Sequence, residues 1–337
     1  MMQQIIARFP GISCAWTDTA GRIATACYGE SDRESHYVVD ENTIFPACSI
    51  SKFVTAICVM KLHEQGLIDI NVPVNIYLQQ WKLRIPNGAE SGASIRSLLS
   101  HTAGIVDWED GFYGHRRGDP EISLMDILEG RTAYNNRPVR AEKPHGTAFE
   151  YSDAGYCVLQ QMIEDVTDTD FADAAKAVVL DALGLQNTFF GTTENMERFA
   201  ARMAVGYDGD GTPIPGRFPL CPDLAASGLW TTPAELATIA REFLDALNGQ
   251  SSFLNQASAR AMATPVERFP WTGLGLFIGD RDTLVTQGWG ENGQCMLKMN
   301  CCTGAVSVVM TNRNPEVDQA ASGVEWLTDQ HLDRQKT

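Results

Sequence analysis

The chain has 337 residues, 44% of them hydrophobic and 20% charged, a balance that excludes a disordered, collagen-like or coiled-coil chain and, at about 150 residues per domain, fits one large body or two interleaved domains. Twenty-six basic against 42 acidic side chains leave a net charge of −16. An acidic surface of that size repels phosphate backbones and anionic lipids, so nucleic acid and membrane are not expected partners.

The opening residues, 1–13, lack a basic head followed by an apolar run, so nothing is expected to target or anchor the chain. The first strand signal follows: Ile12, Cys14 and Trp16 alternate, a Gly21-containing turn intervenes, and Ile23 to Cys27 completes a hairpin. From Ser51 to Gln65 apolar side chains cover nearly every face of a helix that Gly66 is placed to end, so this helix should be buried. Between about 75 and 230, short helical runs (94–100, 122–128, 154–166, 171–180) alternate with Gly- and Pro-punctuated loops. After a helix over 233–247, strands are expected at 273–278, 284–287, 295–299 and 305–311. Strands at both ends with helices between predict an α+β fold, one antiparallel sheet built from both termini and flanked by helices beside a mainly helical domain. The expected boundaries are 1–60 with 230–337 for the sheet domain and 61–229 for the helical one. The nine cysteines are odd in number, scattered and without a C-x-x-C pair, which reads as reduced thiols in a cytoplasmic protein. The histidines do not cluster, so no metal is expected.

Ser49 and Lys52 stand three apart at the head of the buried helix, on one face and within mutual reach. Serine needs a neighbouring base to become a nucleophile, and a lysine among apolar side chains has its pKa lowered toward the neutral, basic form. The spacing alone is weak: 17 serines and seven lysines produce roughly 0.35 such pairs by chance. Its place at the head of the most apolar helix strengthens it. The plain structural alternative is Ser49 as a helix cap and Lys52 as a snorkelling surface residue.

Several segments in order carry a resemblance: Thr43-Ile-Phe-Pro-Ala-Cys-Ser49-Ile-Ser-Lys52, Leu62-His-Glu-Gln-Gly-Leu-Ile-Asp69, Leu98-Leu-Ser-His-Thr-Ala-Gly104, and Pro144-His-Gly-Thr-Ala-Phe-Glu-Tyr151-Ser-Asp-Ala-Gly-Tyr156. From about Phe9 to Asn312 the chain resembles the β-lactamase-related serine hydrolases, the class C β-lactamase-like branch of the penicillin-recognising enzymes. The resemblance implies Ser49 as the acylated nucleophile, Lys52 as its proton partner and Tyr151 as general base, at the tyrosine of the family's Y-x-N. A phenol, with a pKa near 10 in water, serves as base only beside a cation such as Lys52. Tyr134-Asn135-Asn136 is the literal Y-x-N of the chain but lacks the Pro-x-Gly-Thr-x-Phe lead that precedes Tyr151.

Two departures from the family stand out. Asp153 replaces the usual asparagine, exchanging a hydrogen-bond donor for an acceptor; the alternative to an unpaired carboxylate there is a pair with Lys52, which would keep the lysine charged and leave Tyr151 as the base. The late strand reads Gln287-Gly288-Trp289-Gly290 where the family has Lys-Thr-Gly or His-x-Gly. Aligning Gln287 to the missing cation makes the N–H groups of Ser49 and Gly290 the expected oxyanion hole, and Asp153, Gln287, Gly288 and Trp289 the expected substrate contacts. His101 and Asp107 are read as structural rather than as a Ser-His-Asp set, since no G-x-S-x-G elbow is present. The aromatics at 108–113 lie in a loop that could border a pocket. The expected activity is acyl transfer through Ser49 on a small ester or amide, neutral or cationic, without cofactor. A β-lactamase or D,D-peptidase, which recognises a carboxylate with the cation this chain lacks, and a non-catalytic binding homologue are the alternatives.

Overall fold

The computed structural model describes residues 1–333 except positions 19 and 117. Strands β1 (Gly11–Thr17) and β2 (Ile23–Asp32) form the expected hairpin, with Cys14 opposite Ala26, and β3 (Tyr37–Val38) extends it. Two-residue strands β4 (Phe45–Pro46) and β5 (Phe189–Phe190) flank β6 (Leu229–Thr231) in a small second sheet. The chain then returns through β7 (Phe277–Ile278), β8 (Thr283–Gly290), β9 (Gly293–Asn300) and β10 (Val306–Thr311). The main sheet runs β3-β2-β1-β10-β9-β8-β7 and is antiparallel throughout. β1 pairs directly with β10, Ile12 opposite Thr311, so both ends of the chain meet at its centre.

Each face of the sheet has its own cover. Leu284, Cys295, Leu297 and Met310 belong to the main core, which also receives the amphipathic helix Pro233–Leu247 through Leu236, Ile239 and Phe243. Met296 and Val309 turn the other way, onto Ile5, Val324 and Leu327. The C-terminal helix Val324–Asp333 on this far face had no strong signal in the sequence. The expected strand over 273–278 shrinks to two residues, because the chain before it closes a turn in which Gly273 N–H donates to Leu276 C=O at 3.0 Å.

The helix Ser51–Glu64 is buried on nearly every side, as its all-round apolar surface requires. It ends where Gly66 adopts φ +74°, with Gly66 N–H reaching His63 C=O and Leu67 N–H reaching Leu62 C=O. The second sheet fixes its entry: β4 is held by β6, Phe45 opposite Thr231, immediately before Ala47, Cys48 and Ser49.

Candidate active site

Ser49 sits in a single 3₁₀ turn, Cys48–Ile50, that leads into the buried helix. Cys48 takes the left-handed conformation at φ +47°, a costly geometry for a non-glycine residue that turns the chain sharply before the serine. Ser51 anchors the turn, donating to Cys48 C=O at 2.5 Å and accepting from Leu229 N–H.

Lys52 is almost wholly buried, yet all three of its ammonium protons are used. It donates to Ser49 Oγ at 3.2 Å, to Asp153 Oδ1 at 2.5 Å and to Ala226 C=O at 3.0 Å. The expectation of a neutral lysine fails here. Burial favours the neutral amine, but the Asp153 charge and the Tyr151 oxygen outweigh it and raise the pKa of Lys52 above its ordinary value. The Lys52 ammonium lies 4.9 Å from the centroid of the Tyr151 ring, and Tyr151 interacts with both Lys52 and Ser49. Its pKa lies above the usual phenol value: burial raises it, Lys52 pulls it down and Asp153 raises it again. The residues from Ser49, Lys52, Tyr151 and Asp153 are thus brought together, and the ion pair makes Asp153 a partner of the lysine.

Asp153 heads the helix Asp153–Thr167, and Ser152 caps it. Asp107 completes that cap, accepting from Ser152 Oγ at 2.7 Å and from the N–H groups of Asp153 at 2.5 Å and Ala154 at 3.3 Å. His101 Nδ1 accepts from Ser152 N–H at 3.1 Å, and its ring stacks on Tyr151 at 4.3 Å. Burial and the Lys52 charge hold His101 well below its usual pKa, hence neutral. His101 and Asp107 therefore both serve the Ser152 corner that carries Tyr151, which is a structural role. Tyr134 is buried elsewhere, donating to Asp223 Oδ1 at 2.6 Å.

The ladder register moves two of the expected contacts. Cys301 N–H donates to Asp282 C=O and Gly279 N–H to Thr283 C=O, and from Thr283 onward the pairs run in strict register to Gly290 opposite Gly293. Alternation along an antiparallel ladder then points the N–H groups of Gln287 and Trp289 to the free edge beyond β7, and that of Gly290 into β9. Side chains alternate as well. Gln287 lies on the far face, lining a cavity of about 490 Å³ with Lys298, Glu325 and Asp329. The Trp289 side chain also faces away, its Nε1 donating to Asn314 Oδ1 at 2.7 Å. Thr286 and Gly288 face the nucleophile turn. A Cβ on Gly288 would fall 2.5 Å from Ala47 C=O and 2.8 Å from Cys48 Cβ, so this close approach needs glycine. In place of an alignment from Gln287, Thr286-Gln287-Gly288 occupies the triplet: the glycine is retained, and a buried threonine stands at the cation position. Period-two alternation in the late strand could have revealed this, but its reading hinged on a one-residue choice.

The loop over 108–116 is tied to the rest of the molecule at both ends. Trp108 and Phe112 pack against Asn135 and Tyr134, while Tyr113 is exposed. Gly114 N–H and Arg116 both bind Glu291, in the turn that joins β8 to β9. Neither this tie nor the Ala226 carbonyl on Lys52 has a signal in the sequence.

Asp223 is fully buried, and its Oδ2 has no partner among the described residues. Burial, reinforced by the Asp153 charge, pushes its carboxyl up to about 7. A carboxyl raised in the folded state contributes stability below its unfolded value near 3.8 and loses it as pH climbs through the folded value. Asp223→Asn keeps the acceptor for Tyr134 and removes the titration. Its melting temperature relative to the parent should therefore be higher at about pH 8.5 than at about pH 5.5, as thermal melts at the two values will show.

With the geometry in hand, comparison with known proteins is direct. The family model described as Beta-lactamase matches residues 1–330, and the chain belongs to that family. Esterase EstB of Burkholderia gladioli is 30% identical over 193 residues, covering 56% of this chain and 47% of that protein. Teichoic acid D-alanine hydrolase of Staphylococcus aureus is 26% identical over 214 residues, 63% of this chain and 49% of that one. The chain thus spans about half the length of these curated relatives. Among solved structures, D-amino acid amidase from Ochrobactrum anthropi SV3 superposes with a TM-score of 0.80 at 21% identity, covering 99% of this chain and 96% of that one. That likeness establishes the β-lactamase/transpeptidase-like fold.

Proposed function

We propose that the protein is a serine hydrolase that forms an acyl-enzyme on Ser49 and acts on a small ester or amide that is neutral or cationic near the scissile bond. The observation that carries this reading is the Lys52 ammonium, which bridges Ser49 Oγ and Asp153 inside the core. A non-catalytic fold has no need to bury a charged lysine against a half-buried serine. Because Lys52 is charged, the base is the Tyr151 oxygen. As the phenolate it takes the Ser49 proton while the hydroxyl attacks the carbonyl, and the Lys52 charge, 4.9 Å from the ring centroid, stabilises that phenolate. The proton then passes to the leaving atom, and water repeats the sequence on the ester. The N–H groups of Ser49 and Trp289 are the proposed oxyanion donors, Trp289 replacing Gly290 on the register argument. The esterase and hydrolase names of the relatives support the class of reaction.

No helix among the described residues is long and apolar enough to cross a membrane. We place the protein in the cytoplasm because its cysteines are odd in number, scattered along the chain and without a C-x-x-C pair, a usage that fits a reducing compartment. Intact mass after treatment with a fluorophosphonate tests the nucleophile: one adduct is expected on the parent protein and none on Ser49→Ala. Equal labelling of both would overturn the assignment.

A further inference from the structure

A row of aromatic rings leads away from Tyr151. Phe277 lies 6.4 Å from Tyr151 with the rings within 25° of parallel. Phe149 is 6.4 Å from Phe277 and 6.1 Å from Trp271, and Phe269 packs on Trp271 at 5.7 Å. These separations are those of interacting aromatic pairs. Trp271 is 49% exposed and Tyr151 41%, with Phe149, Phe269 and Phe277 half-buried between and beneath them. The row is continuous with the reacting groups.

Its backbone is fixed as well. Val266 N–H donates to Thr272 C=O, Thr272 N–H to Phe269 C=O and Ile278 N–H to Trp271 C=O. Gly275 N–H donates to Leu99 C=O, and a Cβ on Gly275 would fall 2.9 Å from Lys52 C=O. The loop that presents Trp271 is thus pinned against the helix that carries Lys52, so the shelf stays in register with the nucleophile.

We propose that this shelf is the leaving-group subsite and takes an uncharged aromatic ring, as in a benzyl or aryl ester or amide. The proposal rests on the acyl-transfer reading above. Tyr151 must return its proton to the leaving atom, which therefore lies within hydrogen-bond reach of the Tyr151 oxygen. The rest of the leaving group extends past Tyr151, where Phe277, Phe149 and Trp271 continue the surface. Exposed aromatic faces contiguous with a reacting centre gain from covering by apolar surface, and a planar ring meets their geometry best.

Benzyl acetate and ethyl acetate, whose alcohols are of similar acidity, test it on the parent protein, Trp271→Ala, Phe277→Leu and Tyr37→Ala. Tyr37 is an exposed control on β3, at the opposite edge of the sheet. The benzyl-to-ethyl ratio of kcat/KM is expected to fall about three- to tenfold in each shelf variant and to hold in Tyr37→Ala. An unchanged ratio in both shelf variants, or an equal fall in the control, would overturn the subsite. So would a dimer in solution that Trp271→Ala dissolves, since a second copy would then be the occupant. Binding of benzyl alcohol, followed by saturation-transfer NMR, separates the two readings. Should Ser49 take no label and neither ester be cleaved, benzyl alcohol bound by the parent and lost in Trp271→Ala upholds the shelf while the acyl-transfer reading falls. Absence of that binding in the parent overturns the shelf.

Discussion

Lys52→Ala is expected to lower kcat/KM for a neutral nitrophenyl ester by at least about 10², and Tyr151→Phe by a similar factor, because each removes a partner in the transfer of the serine proton. Lys52→Ala has a second consequence. It leaves Asp153 without its cation beside Asp107 and Asp223, two carboxyls already held above their usual values by burial and by the Asp153 charge. Breaking a fully buried pair costs about 3–5 kcal/mol. Since the Asp153 side chain is 25% exposed, solvent screening reduces that loss to about 1–3 kcal/mol. Lys52→Ala combined with Asp153→Asn should therefore regain much of the stability and none of the turnover, a separation that thermal melts and ester assays measure together. Tyr134→Phe should do the reverse of Tyr151→Phe. It strips Asp223 Oδ1 of its donor, lowering stability while leaving the chemistry in place. The pH profile follows from the raised Tyr151 phenol: the reactive form is the phenolate, so kcat/KM should climb with pH through the alkaline range until the protein unfolds. A plateau near neutrality would assign the base to another group.

Discrimination by charge is the other large effect. Asp153 pairs with the Lys52 ammonium, Asp107 and Asp223 both feel the Asp153 charge, and the register puts a buried threonine, Thr286, in place of the missing cation. Two unit charges about 4 Å apart interact by roughly 4 kcal/mol at an effective dielectric near 20. The Lys52 pair cancels part of the Asp153 field, and about 1.4 kcal/mol of the remainder already amounts to tenfold. Matched esters with a carboxylate, no charge or an amine should rank with the carboxylate lowest, by about tenfold or more in kcat/KM. Penicillin, itself a carboxylate, should be a poor substrate. Asp153→Asn should narrow the gap between the carboxylate and neutral esters. Efficient penicillin hydrolysis by the parent would defeat the charge argument while leaving the serine mechanism standing.

The expectations that survived best rest on local pattern. The hairpin of β1 and β2, the buried helix ended by Gly66 and the helix over 233–247 each follow from periodicity and a turn or cap residue within a few positions. Those that changed depend on contacts far along the chain. Apolar neighbours on the helix favour a neutral lysine, but its charge is decided by Asp153, 101 positions away. The choice of Gly290 failed for a different reason: a strand's faces and hydrogen-bonding edges alternate with period two, so an alignment offset by one residue reverses both.

By itself the sequence put Ser49 and Lys52 within reach of each other, a short-range feature, while the candidate roles of Ser49, Lys52 and Tyr151 came from the resemblance of several ordered segments to the family. It also determined that both termini would share one antiparallel sheet, since strand signals cluster at the two ends. Tertiary structure alone decided the protonation of Lys52, the pairing of Asp153, the edge that offers Trp289 N–H and the aromatic row from Tyr151 to Trp271. The physical reason is common to all four. Each depends on burial and on distances between groups that the fold brings together from separate parts of the chain, and electrostatic and ring interactions vary with those distances far more steeply than with position in sequence.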